Sequence, residues 1–319
     1  MKTLDLVAVG EVLVDLISEQ PAPSLEQADR FRRFPGGQVA NTAWNVSLLG
    51  GKAAVVGCVG GDGFGRFLRG ELERIGVATR YLYEIDGTPT TLSVVVRHSG
   101  TPDFLIYRGA DVLLSRDRIP IRAIGQARAL HTSAFGLSRE PARSAILYAL
   151  RIAREAGCLV SIDPNYHPAI WDGTTPAIEV LRQACHYVDV VKPSLDDCRR
   201  IFGTQVDPEG CVSRFLDWGA HVVVLTMGEE GALLALADGE RSTIPAHEVD
   251  VADVTGAGDA FWAGLIVGLL DGLSPHQAAE VGRSVAERKL ATVGPMREPM
   301  DRPRLYQTLW EKPPCTSLS

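Results

Sequence analysis

With 319 residues, 45% of them hydrophobic, the chain can bury a sizeable core and form about two domains, or one large α/β domain with an insertion. A formal net charge of −7 argues against nucleic acid as the main partner, while leaving room for an anionic nucleotide at a local basic or dipolar site. No stretch approaches the ~20 apolar residues of a membrane helix, and Met1-Lys2-Thr3-Leu4-Asp5 lacks a signal-peptide pattern, so a soluble, cytoplasmic protein with no membrane partner is expected.

Leu4 to Gly10 is a short apolar run closed by glycine, as in a buried strand. Glu11 to Ile17 follows, with two acids, Glu11 and Asp15, in an otherwise apolar setting. Residues 18–30 are rich in Pro, Ser, Glu and Gln and read as loop; Arg30 to Pro35 resembles a short exposed strand. Gly36-Gly37-Gln38-Val39-Ala40-Asn41 is a diglycine turn before a helix with Ala43, Val46 and Leu49 on one face, stopped by Gly50-Gly51. Ala53 to Val59 reads as a strand and residues 63–74 as a helix. Thr91 to Arg97 and Phe104 to Arg108 are β-rich runs joined by His98-Ser99-Gly100-Thr101-Pro102-Asp103, a hairpin signal. With residues 11–17 and 31–34 they predict a small antiparallel β lid.

From residue 127 strands (128–133, 158–163, 187–192, 221–226) alternate with amphipathic helices (140–156, 176–185, 194–202, 209–218). That order predicts a parallel sheet covered by helices on both faces. Residues 233–237 and 243–246 read as strands near an edge, and helices fit 256–271, 275–292 and 302–310 before a Pro-containing tail. The expected division is an α/β core (1–10, 36–87 and 112–319) with a discontinuous lid (11–35 and 88–111) contributing to the site.

The most informative stretch is Asp253-Val254-Thr255-Gly256-Ala257-Gly258-Asp259-Ala260-Phe261. It reads as a loop opening onto a helix N-terminus, where unpaired amides and the helix dipole favour an anion. A carboxylate beside such a hole suits proton abstraction from an alcohol that attacks a phosphate; the other reading is a helix cap. A Rossmann fingerprint fails because its third glycine falls on Phe261, and a Walker loop fails because Gly51-Lys52 is followed by Ala53. The six cysteines show no Cys-x-x-Cys spacing and the seven histidines no paired arrangement, so neither a disulfide framework nor structural zinc is expected.

Gly36-Gly37-Gln38-Val39-Ala40-Asn41-Thr42-Ala43 and Asp253 to Phe261, in this order, resemble the two signatures of the ribokinase-like (PfkB) carbohydrate kinase family, and the resemblance covers essentially the whole chain. It implies a ribokinase-like fold and Mg²⁺-dependent transfer of the γ-phosphoryl group of ATP to a sugar hydroxyl, a reaction driven chiefly by positioning and fixed dipoles. Asp259 matches the family's general base, and the amides of Gly256, Ala257 and Gly258 its anion hole. Asp15 matches a substrate-binding aspartate, able to accept from two sugar hydroxyls. Gly36, Gly37 and Asn41 match the floor and amide of the sugar site, with Arg108 and Asn165 as further substrate-binding candidates. Arg108 also reads as a lid-surface charge.

On the nucleotide side, Thr226-Met227-Gly228-Glu229-Glu230-Gly231 resembles the family's Thr-x-Gly-x-x-Gly turn beside the phosphates, and also reads as a glycine turn between strands. Lys192-Pro193-Ser194-Leu195-Asp196-Asp197 stands where the family usually shows Asn-x-x-Glu near the magnesium. Lys192 and Ser194 are therefore nucleotide candidates and Asp197 a metal candidate acting through water, against a capping-box reading of Ser194 and Asp197. His167 replaces an arginine usual in fructokinases and 2-keto-3-deoxygluconate kinases, exchanging a permanent charge for a mostly neutral ring. Ile106 also stands where the latter place an aromatic, which points to fructose or a similar neutral sugar. The alternatives are 2-keto-3-deoxygluconate kinase, nucleoside kinase and, in another class, a non-catalytic sugar- or nucleotide-binding protein. The resemblance further implies a monovalent cation such as K⁺ with Asp253 as a ligand, and a homodimer formed through the lid.

Overall fold

The computed structural model describes residues 2–97, 104–171, 173 and 175–310. In chain order its strands are β1 (Leu4–Val9), β2 (Leu13–Ser18), β3 (Phe31–Gly36), β4 (Ala53–Gly60), β5 (Ala78–Ile85), β6 (Leu92–Val95), β7 (Phe104–Tyr107), β8 (Ala127–Ser133), β9 (Leu159–Asp163), β10 (Val190–Val191), β11 (Val222–Thr226), β12 (Ala232–Leu236) and β13 (Arg241–Ile244). The helices are α1 (Gln38–Leu48), α2 (Gly63–Arg74), α3 (Ile121–Gly125), α4 (Ala134–Leu137), α5 (Ala142–Glu155), α6 (Ala177–Cys185), α7 (Leu195–Phe202), α8 (Pro208–Asp217), α9 (Ala257–Leu270), α10 (Pro275–Leu290) and α11 (Arg302–Trp310).

Nine strands form one sheet in the order β13-β12-β11-β10-β9-β8-β1-β4-β5. From β11 to β5 every pairing is parallel; β12 and β13 complete the other edge as antiparallel strands. The central strands are apolar on both faces because both are covered. In β1, Leu6 and Ala8 pack into one core while Val7 and Val9 pack into the other, the signature of a parallel sheet between helical layers. Helices α1, α9 and α10 cover the first face, and α5, α6 and α8 the second. This is the α/β architecture the alternation predicts.

Strands β2, β3, β6 and β7 form a separate four-stranded sheet in the order β3-β2-β6-β7. The β2–β3 and β6–β7 pairs are antiparallel, as the lid reading expects, and a parallel β2–β6 pairing joins them. Strand β5, absent from the sequence reading, forms the far edge of the large sheet. Its interleaved Thr79, Arg80 and Glu84 break the apolar run that marks the central strands. The expected hairpin connection His98 to Asp103 and the tail beyond Trp310 lie outside the described residues. Among the described residues, no helix is long and apolar enough to cross a membrane.

Candidate active site

The sheet sets the location. Glu11, Asp163, Lys192 and Thr226 sit at or just beyond the carboxyl ends of β1, β9, β10 and β11, the side on which open parallel sheets bind ligands. The N-termini of α1 and α9 are tied together there: Asn41 Nδ2 donates to Asp259 Oδ2 at 2.8 Å. Glu11 holds the start of α1, accepting from the Gln38 amide at 3.0 Å and from Ser133 Oγ.

Asp15 lies on β2, opposite Phe34 of β3 and Ser93 of β6. Its carboxylate rests against the backbone of Gly36: a Cβ there would stand 2.1 Å from Asp15 Oδ2. No other residue type leaves the carboxylate in this position. Asp15, Asn41, Asn45, Asp253, Gly256 and Lys289 face one cleft, about 420 Å³ with its open mouth, walled by Phe34, Trp44 and Met296. Burial lifts the Asp15 carboxyl to about 7; Asp253 adds to the rise and a Ser93 hydrogen bond opposes it.

Asp259 occupies the first turn of α9, whose N-cap is Gly256 in the left-handed region at φ +79°. That conformation, natural for glycine, starts the helix with Ala257, Gly258 and Asp259 in its first turn. No side chain caps this terminus; the Ala257 amide donates to the Val254 carbonyl at 3.2 Å, and the dipole with the neighbouring glycine amides remains available to an anion. Asp259 is only partly exposed, and burial raises its carboxyl to about 7; Asp163 and Glu11 add repulsion, while Asn41 and Lys192 oppose it. A carboxyl at that value is poised to accept a proton near neutrality.

Lys192 is buried and paired with Asp163, Nζ to Oδ2 at 3.1 Å. Its ammonium lies beside the glycine loop, 3.6 Å from where a Cβ on Gly258 would stand. Asp163 is held in turn by Trp262 Nε1 at 2.8 Å and Gln38 Nε2 at 3.4 Å on the same oxygen. Burial, with Lys192 nearby, drives His131 down to about 3, so its ring is neutral. The network then fixes the tautomer: Nε2–H donates to Gln38 Oε1 at 3.0 Å and Nδ1 accepts from Ser161 Oγ at 2.8 Å.

Ser194 and Asp197 form a complete capping box at the start of α7, and Asp197 Oδ1 also accepts from the Tyr166 amide at 2.8 Å. Burial and the neighbouring Asp163 raise the Asp197 carboxyl. Thr226 ends β11, with its amide on Pro193 O at 2.9 Å, and Gly228 and Gly231 bound the tight turn that leads back into β12. The structural readings of both motifs are therefore realised at the sheet's ligand edge.

Two expected substrate residues, Arg108 and Asn165, and the substituted His167 sit away from the cleft or are engaged elsewhere. Arg108 is buried: Nε donates to Asp111 Oδ2 at 2.9 Å, Nη1 to Ser138 Oγ at 2.8 Å, and the guanidinium stacks 4.3 Å over Phe135. It braces the lid against the core and does not line the cleft; the lid-surface reading fails for the same reason. Asn165 has an exposed side chain and φ +32°, and its amide closes a turn onto Asp163 Oδ1 at 3.0 Å. His167 packs edge-on against Phe104 of β7, and burial, helped by Arg200, lowers its pKa, keeping it neutral.

Asp253 is held by amides and by an ammonium. Oδ1 accepts from the Thr255 amide at 2.9 Å, and Oδ2 from the Gly294 amide at 3.0 Å and Lys289 Nζ at 3.5 Å. Burial works against ionisation, but these partners hold the carboxyl below the ordinary range. The sequence reading overlooked Lys289, Asp163, Gln38 and Trp262. A signal for Lys289 existed: it falls four residues after Val285, on the face of α10 that buries Ala278, Val281 and Val285.

Comparison with known proteins agrees with this geometry. The family described as pfkB family carbohydrate kinase matches residues 3–301. The chain is similar to an ATP-dependent 6-phosphofructokinase of Thermoanaerobacterium thermosaccharolyticum, 36% identical over 92% of this chain and 90% of the relative. Among solved structures it is similar to Halothermothrix orenii fructokinase, with TM-score 0.80 and 38% identity over 92% of this chain and 100% of the other. A fructokinase double mutant from Vibrio cholerae O395, solved with fructose, ADP and potassium ion, matches with TM-score 0.83 and 28% identity over 96% and 98% of the chains. With two signature loops meeting at one cleft and the family match spanning nearly its whole length, the chain belongs to the pfkB family and is an ATP-dependent carbohydrate kinase.

Proposed function

We propose that this kinase phosphorylates a hydroxyl of a neutral sugar such as fructose, with Asp259 as general base. The observation that carries the reading is the Asn41–Asp259 contact, which joins the base to the cleft that holds Asp15. Asp15 accepts from sugar hydroxyls and orients the ring. Asp259 takes the proton of the attacking hydroxyl on its free oxygen, Asn41 having engaged the other. The amides of Gly256, Ala257 and Gly258, flanked by Lys192, receive the phosphoryl oxygens as their charge redistributes. Gly37 begins α1 beneath the sugar, and Ser194, Thr226, Gly228 and Gly231 line the nucleotide side. Arg108 and Asn165 support the lid and the Asp163 turn without touching substrate.

Mg²⁺ carried with ATP would neutralise phosphate charge. Asp197, whose oxygens are taken by Ser194 and the Tyr166 amide, would reach such an ion only through water. The second reading is a substrate that already bears a phosphate. A cavity beside the sugar cleft contains Arg32 and Arg97, and one relative is named a 6-phosphofructokinase. The neutral His167 gives no fixed charge for the carboxylate of 2-keto-3-deoxygluconate.

The residues 11–35 and 88–111 act as the lid, and we propose that its sheet pairs with that of a second copy. Leu105 and Tyr107, on one face of edge strand β7, are 51% and 61% exposed. Cys58, Cys158, Cys185, Cys198 and Cys211 are buried free thiols, which suits the reducing cytoplasm where ATP is abundant. The test is ADP release against fructose, other neutral sugars, fructose 6-phosphate, 2-keto-3-deoxygluconate and nucleosides. Highest kcat/KM on a neutral sugar is expected. A preference for fructose 6-phosphate establishes the second reading, and binding without turnover on any substrate overturns both.

A further inference from the structure

The oxygens around Asp253 are those a monovalent cation would need, and they are already engaged. Lys289 Nζ lies 2.9 Å from the Thr292 carbonyl oxygen, 3.3 Å from the Asp253 carbonyl oxygen and 3.5 Å from Asp253 Oδ2. An ammonium has three N–H donors, and here it meets three acceptors, so the set is complete. The Lys289 side chain is 4% exposed, and a charge buried to that degree persists only when paired. The remaining lone pairs of Asp253 face the Thr255 and Gly294 amides. A potassium ion held by this carboxylate and these carbonyls would have to displace the ammonium, so the residues present do not fit one.

The position of the charge gives the arrangement a purpose. Lys289 Cε lies 3.8 Å from where a Cβ on Gly256 would stand, against the N-cap of α9. Lys192 stands by Gly258 of the same loop. Two ammonium groups thus lie beside the amides proposed to receive the phosphoryl oxygens.

We propose that Lys289 is a built-in monovalent cation: its ammonium fixes the Asp253–Gly256 loop and adds positive charge beneath the anion hole, so that phosphoryl transfer needs no dissolved potassium. The inference rests on the assignment of Gly256, Ala257 and Gly258 as the anion hole. Lys289 acts as a positioning residue.

The test measures ADP directly by chromatography, with KCl replaced by tetramethylammonium chloride at the same ionic strength of ~0.1 M so that screening is unchanged. Wild-type kcat is expected to agree within about twofold in the two salts, and Lys289→Met to lose up to about 10²–10³-fold in kcat, the cost of one lost oxyanion-hole donor being the upper bound. Ammonium or potassium ions are expected to restore part of that loss in the variant, which a purely structural lysine would not allow. Thermal unfolding gives a second readout: potassium should raise Tm over tetramethylammonium in Lys289→Met and not in wild type. Should the variant not fold, the wild-type arm decides alone. Activation of wild type by potassium of about tenfold or more, or a specific potassium rise in its Tm, overturns the proposal. Asp259→Asn turning over at the wild-type rate would instead refute the base assigned in the proposed function, whatever potassium does.

Discussion

Replacing Asp259 with asparagine tests the central chemical claim with little structural disturbance. The Asn41 Nδ2 hydrogen bond, 2.8 Å long in the wild type, needs only an acceptor oxygen, and an asparagine carbonyl supplies one. What disappears is the ability to take a proton. Loss of a general base costs about 10²–10⁴-fold in rate, or about 2.7–5.4 kcal/mol of barrier. The pH dependence sharpens this. With the carboxyl at about 7, roughly half the enzyme carries an ionised base at pH 7, about one tenth at pH 6 and about nine tenths at pH 8. Wild-type kcat should therefore fall about fivefold from pH 7 to pH 6 and less than twofold from pH 8 to pH 7. Burial also raises Asp15 to about 7, but saturating sugar covers it, so kcat rather than kcat/KM separates Asp259 from Asp15. Direct ADP quantification from pH 5.5 to 8.5, with ATP binding followed by calorimetry, gives both quantities. A variant within tenfold of wild-type kcat, or one that keeps the same acid limb, would refute the assignment of the base.

Gly36→Ala places a methyl group 2.1 Å from Asp15 Oδ2; the carboxylate must retreat by about 1 Å or more, and sugar KM should rise about 10–100-fold while KM for ATP holds, as steady-state kinetics would show. Arg108→Ala leaves Asp111 buried without its cation and should cost about 3–5 kcal/mol in urea unfolding; a shift under 1 kcal/mol would remove it as a brace. The ligand-free protein should melt at higher temperature near pH 5 than near pH 8. Burial raises Glu11, Asp15 and Asp259 to about 7 in the fold, so their stabilisation is complete below the unfolded carboxylate range and lost as pH rises through 7. His131 and His167, lowered by burial, oppose this below their unfolded value, but they are two against three; calorimetry showing Tm climbing steadily from pH 5 to 8 would contradict the balance. Leu105→Asp with Tyr107→Asp should convert a dimer to a monomer by light scattering, and a wild type that is already monomeric at working concentration would dismiss the lid interface.

Much of this protein is legible in its sequence because the signals are local. The apolar runs of β1, β4, β8 and β11 and the helical periodicity between them establish the parallel sheet, since each face must be buried within a few residues of chain. The two glycine motifs point to the proposed site because a helix start presents unpaired amides and a dipole that favour anions. The capping box of Ser194 and Asp197 is equally local, and it is formed. Tertiary structure alone decided the partnerships. That Arg108 is engaged by Asp111 and Ser138, that Lys192 pairs with Asp163, and that β2 meets β6 in parallel all follow from strand order and chain path. Lys289 shows why: along α10 it is one charged residue in a helix rich in them, and its meaning depends on carbonyls and a carboxylate brought to it across the turn and from the loop before α9. Periodicity tells which face of an element is buried, but the chemistry of a buried charge belongs to whatever the fold places opposite it.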